Sequence, residues 1–440
     1  MTTENTSPTL TGNLVDLARR ARPLVRLASE YTTAHVAGRV LAAAAGLILV
    51  RLLPVTEYAL YTLFLAGYTF ITTSSDLGAT ESLAYFRRRA IFENRPWSIF
   101  YEAVVRFRGV VFVGGLILSM VYVFYTATKI ERDAHGIVAA VVVMGCGAWL
   151  AIQASTTAYA LKLELRFREA YVVELCNEGT KLIAVALLWA ASMATALAGM
   201  VSIGLGGLVA TGVASAFWGR SIGDGAPKDD RPAKDAMRAL LGQVGPVLPG
   251  TIYYSLQAPL VAYLAASYGP ARNLAEVGAL GRLGALIGVL SGFTSTVFVP
   301  RLASIKDAGA FRRRYVYWWL VVLFFGGAVL LAVSLFPDAL LWILGRSYSD
   351  LHAELTIAAA SAVIGIWSAF AWQVNRARGW VRAQLYRVPV LAVAQVSLFL
   401  LLDLSSTGGI LLFGLGSLLT DVLFQVGVNV HGLLGDEERH

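Results

Sequence analysis

Glu174, Glu178 and Lys181 recur at spacings of four and three inside an otherwise apolar run, Tyr171–Trp189. On a helix these intervals put all three on one face, with Asn177 beside them. An ionisable side chain in hydrocarbon costs about 2.5–3.5 kcal/mol, so it defaults to a function. Two readings stand for this face. It lines a wet cavity, with Glu174 and Glu178 as coupling-ion candidates and Lys181 as a substrate contact, or Glu178 and Lys181 simply neutralise each other. Glu174, close to Arg168, fits the membrane interface as well. Arg282 stands alone in a second run, Val277–Pro300, and is followed by Leu283 and the flexible segment Gly284–Gly288. A lone cation there suits an anionic substrate; snorkelling to the nearby interface is the competing reading. Arg39, with His35, opens the first run, where substrate contact and interfacial anchoring are equal readings. Gln153, Gln257 and Gln373 lie well inside runs. Gln257 is carried as a substrate contact, although hydrogen bonds between helices explain all three. Asp76, Glu81, Asp403 and Asp421 lie near run ends, and Asp76 joins the coupling-ion candidates.

No motif of covalent or metal chemistry accompanies these residues. The chain has no phosphate-binding loop, no His-Glu-x-x-His, no Gly-x-Ser-x-Gly and no metal-ligand spacing. Its two cysteines, Cys146 and Cys176, both fall in apolar runs, which excludes a disulfide framework and a Cys-x-x-Cys site. The expectation is a protein that is not an enzyme and holds no metal or cofactor.

The elements that carry these residues are set by composition. Apolar residues make up 57% of the chain and charged ones 15%, with a mean hydropathy of +0.64, outside the globular range. A net charge of +8 would suggest nucleic acid in a soluble protein, but basic loops of a membrane protein explain it better, so no nucleic-acid partner is expected. Twelve runs are long enough to cross a bilayer as helices. The first six are Val36–Leu53, Tyr58–Leu77, Val110–Tyr125, Gly136–Leu161, Tyr171–Trp189 and Met193–Trp218. The second six are Pro246–Tyr268, Val277–Pro300, Tyr315–Phe336, Leu355–Val374, Leu385–Leu404 and Gly408–Val430. Between the sets lies Gly219–Gln243, rich in Gly, Pro and charge, with no apolar period before Ala236. The fold expected is therefore an all-α integral membrane protein of twelve transmembrane helices in two six-helix lobes. Residues 36–218 and 244–432 form the lobes, 219–243 the linker, 433–440 a tail, and 1–35 a basic interfacial segment without a signal-peptide core.

Charge gives the direction. With the N-terminus cytoplasmic, 29 of the 36 lysines and arginines fall on the cytoplasmic side and five on the other, as the positive-inside rule demands. The connections on the opposite face are too short for the ordered loop of a membrane-embedded transferase. Glu57-Tyr58-Ala59-Leu60 and Glu276-Val277-Gly278-Ala279 open the second and eighth runs alike, each after a turn with Pro54 or Pro270. This is the trace of a parallel repeat, with the halves related by a pseudo-two-fold axis along the membrane normal.

Arg51-Leu52-Leu53-Pro54-Val55-Thr56-Glu57-Tyr58, leading to Asp76-Leu77-Gly78, resembles the first hairpin of the polysaccharide flippases. These belong to the multidrug/oligosaccharidyl-lipid/polysaccharide exporter superfamily. Arg282-Leu283 leading to Pro300-Arg301-Leu302-Ala303-Ser304 resembles the eighth helix of the lipid-linked sugar branches. Pro337 to Gly345-Arg346-Ser347-Tyr348 resembles the turn after the ninth. The resemblance implies a V-shaped pair of lobes that flips a lipid-linked oligosaccharide by alternating access, with Arg39 and Arg282 at basic positions of the central cavity. No helix pair follows the twelfth run, which fits the twelve-helix O-antigen-type branch rather than the peptidoglycan branch.

The function expected is transfer of a polyprenyl-pyrophosphate-linked glycan from the inner to the outer leaflet of the cytoplasmic membrane, for cell-surface polysaccharide biosynthesis. A proton or sodium gradient could drive it, since each charge moved is worth about 2.3 kcal/mol per 100 mV. The partners expected are the glycan lipid, membrane lipids and a polysaccharide polymerase or ligase, with the protein itself a monomer. The alternative is a cation-coupled drug or metabolite exporter of the same superfamily. Such an exporter is expected to carry an acid in the first run for cationic drugs, and Val36–Leu53 has none.

Overall fold

The computed structural model describes residues 36–93, 97–128, 134–219, 230–245, 248–293, 302, 305, 307–380 and 382–437. The segment expected at 1–35 and the start of the linker lie outside these. The helices, in chain order, are α1 (residues 36–52), α2 (Val55–Ser74), α3 (Ala79–Glu93), α4 (Ser98–Ala127), α5 (Ala134–Leu163), α6 (Phe167–Ala190) and α7 (Ala196–Trp218). They continue with α8 (Asp230–Val244), α9 (Leu248–Tyr268), α10 (Ala271–Phe293), α11 (Ala308–Leu335), α12 (Pro337–Leu344), α13 (His352–Arg378), α14 (Arg387–Leu401) and α15 (Thr407–Glu437). Each of the twelve apolar runs coincides with one of these helices. Among the described residues there is no strand. The protein is an all-helical, multi-pass membrane protein.

Hydropathy sorts the twelve by position. α4, α5, α7, α11, α13, α14 and α15 are long and apolar enough to cross a membrane on composition alone. The other five, α1, α2, α6, α9 and α10, carry more Tyr, Thr, Gln, Pro and charge, or are short. Four of them, α1, α2, α9 and α10, meet in the middle, and α6 lies against α1. α2 packs on α9 and α10 of the other half, α1 faces Arg282 of α10 through Gly46, and α6 faces α1 where Glu174 meets Gly38. Polar side chains are thus drawn away from lipid to the junction of the lobes, because hydrocarbon offers them no partners.

The two halves repeat the same packing in the same chain order. α5–α7, α6–α7, α2–α5 and α4–α5 in the first half answer to α13–α15, α14–α15, α10–α13 and α11–α13 in the second. The paired glutamates confirm the register. Glu57 Oε2 accepts the Ala196 N–H at 2.6 Å, at the start of α7, where Thr195 caps the helix. Glu276 Oε2 accepts the Thr407 hydroxyl at 2.5 Å, at the start of α15. A carboxylate suits both places, since a helix N-terminus presents unsatisfied N–H groups and the positive end of the dipole.

Three helices lie outside the twelve runs. α3 and α8 are amphipathic and cover the end of α4. Leu83 and Phe86 of α3 and Ala236, Leu240 and Val244 of α8, the last three spaced by four, share one core with Phe100, Tyr101 and Val104. The third run, read from Val110, belongs to a helix that begins at Ser98, because these buried aromatics extend it past Arg106 and Arg108.

Candidate substrate site at the lobe junction

Arg282 sits near the middle of α10, partly buried. Its guanidinium donates to the Tyr61 hydroxyl at 3.2 Å and lies 5.5 Å from that ring's centroid, a cation–π distance. Tyr58, one turn earlier on α2, stacks obliquely on Tyr61 at 5.9 Å. Its fully buried hydroxyl lies against the same guanidinium. Gly46 of α1 makes room: a Cβ there would stand 3.1 Å from Arg282 Cδ. No carboxylate pairs with Arg282 among the described residues. The junction thus holds a cation without an acid partner among the described residues, two tyrosine hydroxyls beside it and an aromatic face, which together can receive one anionic group. Arg39 lies seven residues before Gly46, on the same face of α1 and about 10 Å along its axis, with its side chain exposed.

The acids and Lys181 are engaged. Glu174 is 3.8 Å from Lys162 Nζ and packs against Gly38. Lys181 Nζ pairs with Glu178 Oε1 at 2.8 Å, which also accepts from Asn177 Nδ2 at 2.9 Å. The stem of Lys181 lies over Gly206 of α7, where a Cβ would come within 2.6 Å of its Cγ. Asp76 takes the Thr80 N–H at 3.2 Å, capping the start of α3, and lies 3.7 Å from Arg108. Arg108 was readable only as a flanking loop charge. It is 4% exposed, held by Thr80 at 2.8 Å and Thr156 at 2.5 Å.

Gln257 lines a separate cavity of about 440 Å³, bounded by α2, α9, α10, α14 and α15. It accepts from Gln395 Nε2 at 2.6 Å. The same cavity is lined by Arg387 and Asp421, which form a two-pronged pair at 2.7 and 3.0 Å. Asp421, expected near a run end, lies buried along the middle of α15 and also accepts from Ser368.

No family model matches the chain, and no curated protein sequence does either. Solved structures do. The lipid II flippase MurJ in an inward closed conformation superposes with a TM-score of 0.70 at 11% identity, over 92% of this chain and 89% of that one. An inward-facing multidrug resistance MATE family transporter of the MOP superfamily gives 0.59 at 15%, over 90% and 93%. A mutant of the Vibrio cholerae MATE transporter VcmN gives 0.60 at 11%, over 96% and 98%. The chain has the fold of these transporters. Its twelve-helix, two-lobed layout places α1, α2, α9 and α10, and so Arg282, where the lobes meet.

Proposed function

We propose that this protein is a flippase that carries a polyprenyl-pyrophosphate-linked oligosaccharide from the cytoplasmic to the outer leaflet by alternating access, for cell-surface polysaccharide biosynthesis. The observation that carries the reading is Arg282, a cation at the lobe junction with no acid partner among the described residues. A pyrophosphate cannot cross hydrocarbon unaided, since a bare charge there costs tens of kcal/mol in the Born limit. A fixed cation between two movable lobes lowers that cost, while Arg39 extends the basic face toward the cytoplasmic end. The hairpin and eighth-helix motifs resemble the polysaccharide flippases, and a lipid II flippase is among the structural neighbours. The distribution of 29 basic residues against five supports cytoplasmic termini in the inner membrane. The protein works as a monomer without catalytic chemistry, alongside a polymerase or ligase, and a proton or sodium gradient supplies the drive.

The drug-exporter alternative keeps support from the MATE neighbours, but an unpaired Arg282 repels a cationic drug, and α1 offers no acid to attract one. Arg282→Ala separates the readings. It removes a charged hydrogen bond worth about 1.5–3 kcal/mol, so surface glycan display should fall ten- to a hundredfold with protein level and membrane insertion unchanged. Arg282→Lys should retain part of the activity, because a point charge meets a phosphate without the two-pronged fork. Full display from the alanine variant would return Arg282 to a packing role.

A further inference from the structure

The 440 Å³ cavity lies within the 300–1,000 Å³ of small-molecule sites, and Arg282 is not in its wall. Its lining changes along its length. Leu274 and Val277, near the start of α10, and Phe413, near the start of α15, lie at one end. Leu65, Ala66, Val261, Ala262 and Leu391 continue an apolar wall from there. At the other end stand Tyr253, near the start of α9, and Arg387, the first residue of α14, with Asp421 facing it.

The polar end has no charge left to offer. Arg387 and Asp421 neutralise each other through two hydrogen bonds. Gln395 Nε2 is shared between Gln257 Oε1 at 2.6 Å and Ser417 Oγ at 3.2 Å. The Tyr253 hydroxyl is buried there beside the Gln257 side chain, where a ligand's head can meet it. A ligand of net charge would enter this cavity without a counter-charge, at high cost. A ligand polar all over would leave the apolar wall unmatched.

We infer that the cavity binds a single-chain amphiphile with an uncharged, hydrogen-bonding head, its chain along Val261, Leu391 and Phe413 and its head at Tyr253. At roughly 30 Å³ per water-sized group the volume holds about fifteen such groups, which is a head and a chain of about a dozen carbons. This does not rest on the phosphate reading of Arg282. The test is thermal unfolding of the purified full chain with 1-monoacylglycerols of increasing chain length. Apparent affinity should rise with each added methylene, up to about fourfold per step, and level off near twelve carbons. The fatty acid of equal length should bind at least tenfold more weakly, and Tyr253→Phe should weaken every member several-fold. Val261→Trp, or Leu391→Phe if that variant does not fold, should abolish the chain-length dependence by filling the cavity, whereas Arg282→Ala should leave it intact. An undiminished dependence in the folded filled variant, a rise that never levels, or no stabilisation at all overturns the proposal.

Discussion

Lys181 and Glu178 show what a polar face on a membrane helix must do to persist. Their ion pair, 18% and 15% exposed, leaves each charge with a partner, and Gly206 lets the lysine stem lie flat against α7. Glu178→Gln alone strands the ammonium and should cost about 1–2 kcal/mol, a fully buried pair's penalty discounted for partial exposure. Glu178→Gln with Lys181→Met should cost less than about 1 kcal/mol, since matched apolar replacement of a buried pair is often tolerated. Thermal unfolding in detergent measures both. If the pair faces the transport path, the stable double variant loses glycan export; retained export removes both residues from the path. This face was legible because intervals of three and four inside an apolar run are rare. Arg108 and Arg387 were not. A charge flanking an apolar run reads the same whether it reaches out to headgroups or turns inward, and only Thr156 in one case and Asp421 in the other decides it.

At the scale of elements, the glutamates that open α2 and α10 tie each lobe together by holding the N-terminus of its sixth membrane helix. Glu57→Gln and Glu276→Gln should each lower stability by about 0.5–2 kcal/mol, the range of a lost helix cap or dipole contact. Glu276→Gln also loses the pair with Arg272, at 2.6 Å. Equilibrium unfolding of the two variants measures both losses. The twelve helices could be read from the spacing of apolar runs and the repeat from Glu57-Tyr58 and Glu276-Val277, although only seven of the helices are apolar enough to span on composition alone. α3, α8 and α12 could not: α3 and α8 are amphipathic and carry charge, and α12 has only eight residues, so none reads as a run. α8 shows itself only through Ala236, Leu240 and Val244, the tail of a segment otherwise read as linker.

Across the whole molecule the lobes are bridged at both ends. At the end bearing α12, Arg51 donates to the Ile343 carbonyl at 2.7 Å and to Trp342, and its guanidinium lies 4.7 Å from the Trp342 ring. Gly345, at φ +107°, ends α12 there and leaves its last carbonyls open to the arginine. At the opposite end Arg376 of α13 pairs with Glu81 of α3. Both pairs are exposed, and under the proposed alternating access each would bias the balance of states without locking it. Loss of an exposed ion pair is worth up to about 1 kcal/mol, a shift of about fivefold. Glu81→Gln should therefore raise thiol labelling of Thr62→Cys, in a background lacking Cys146 and Cys176, from the side bearing the linker. Arg51→Gln should raise it from the other side, and by more, because it loses charged hydrogen bonds to helix-end carbonyls.

The central claim, that Arg282 receives the anionic head of a lipid-linked glycan as it crosses, is tested most directly in vesicles. Purified protein is reconstituted with a fluorescent polyprenyl-pyrophosphate oligosaccharide in both leaflets, and a glycosidase is added outside under an imposed proton or sodium gradient. The wild type should expose the inner-leaflet pool to the enzyme over time, polyprenyl pyrophosphate without glycan should compete, and polyprenol should not. Arg282→Ala, folded and inserted equally, should leave the inner pool protected. Protection that persists with the wild type under either gradient, or exposure undiminished in Arg282→Ala, would contradict the account.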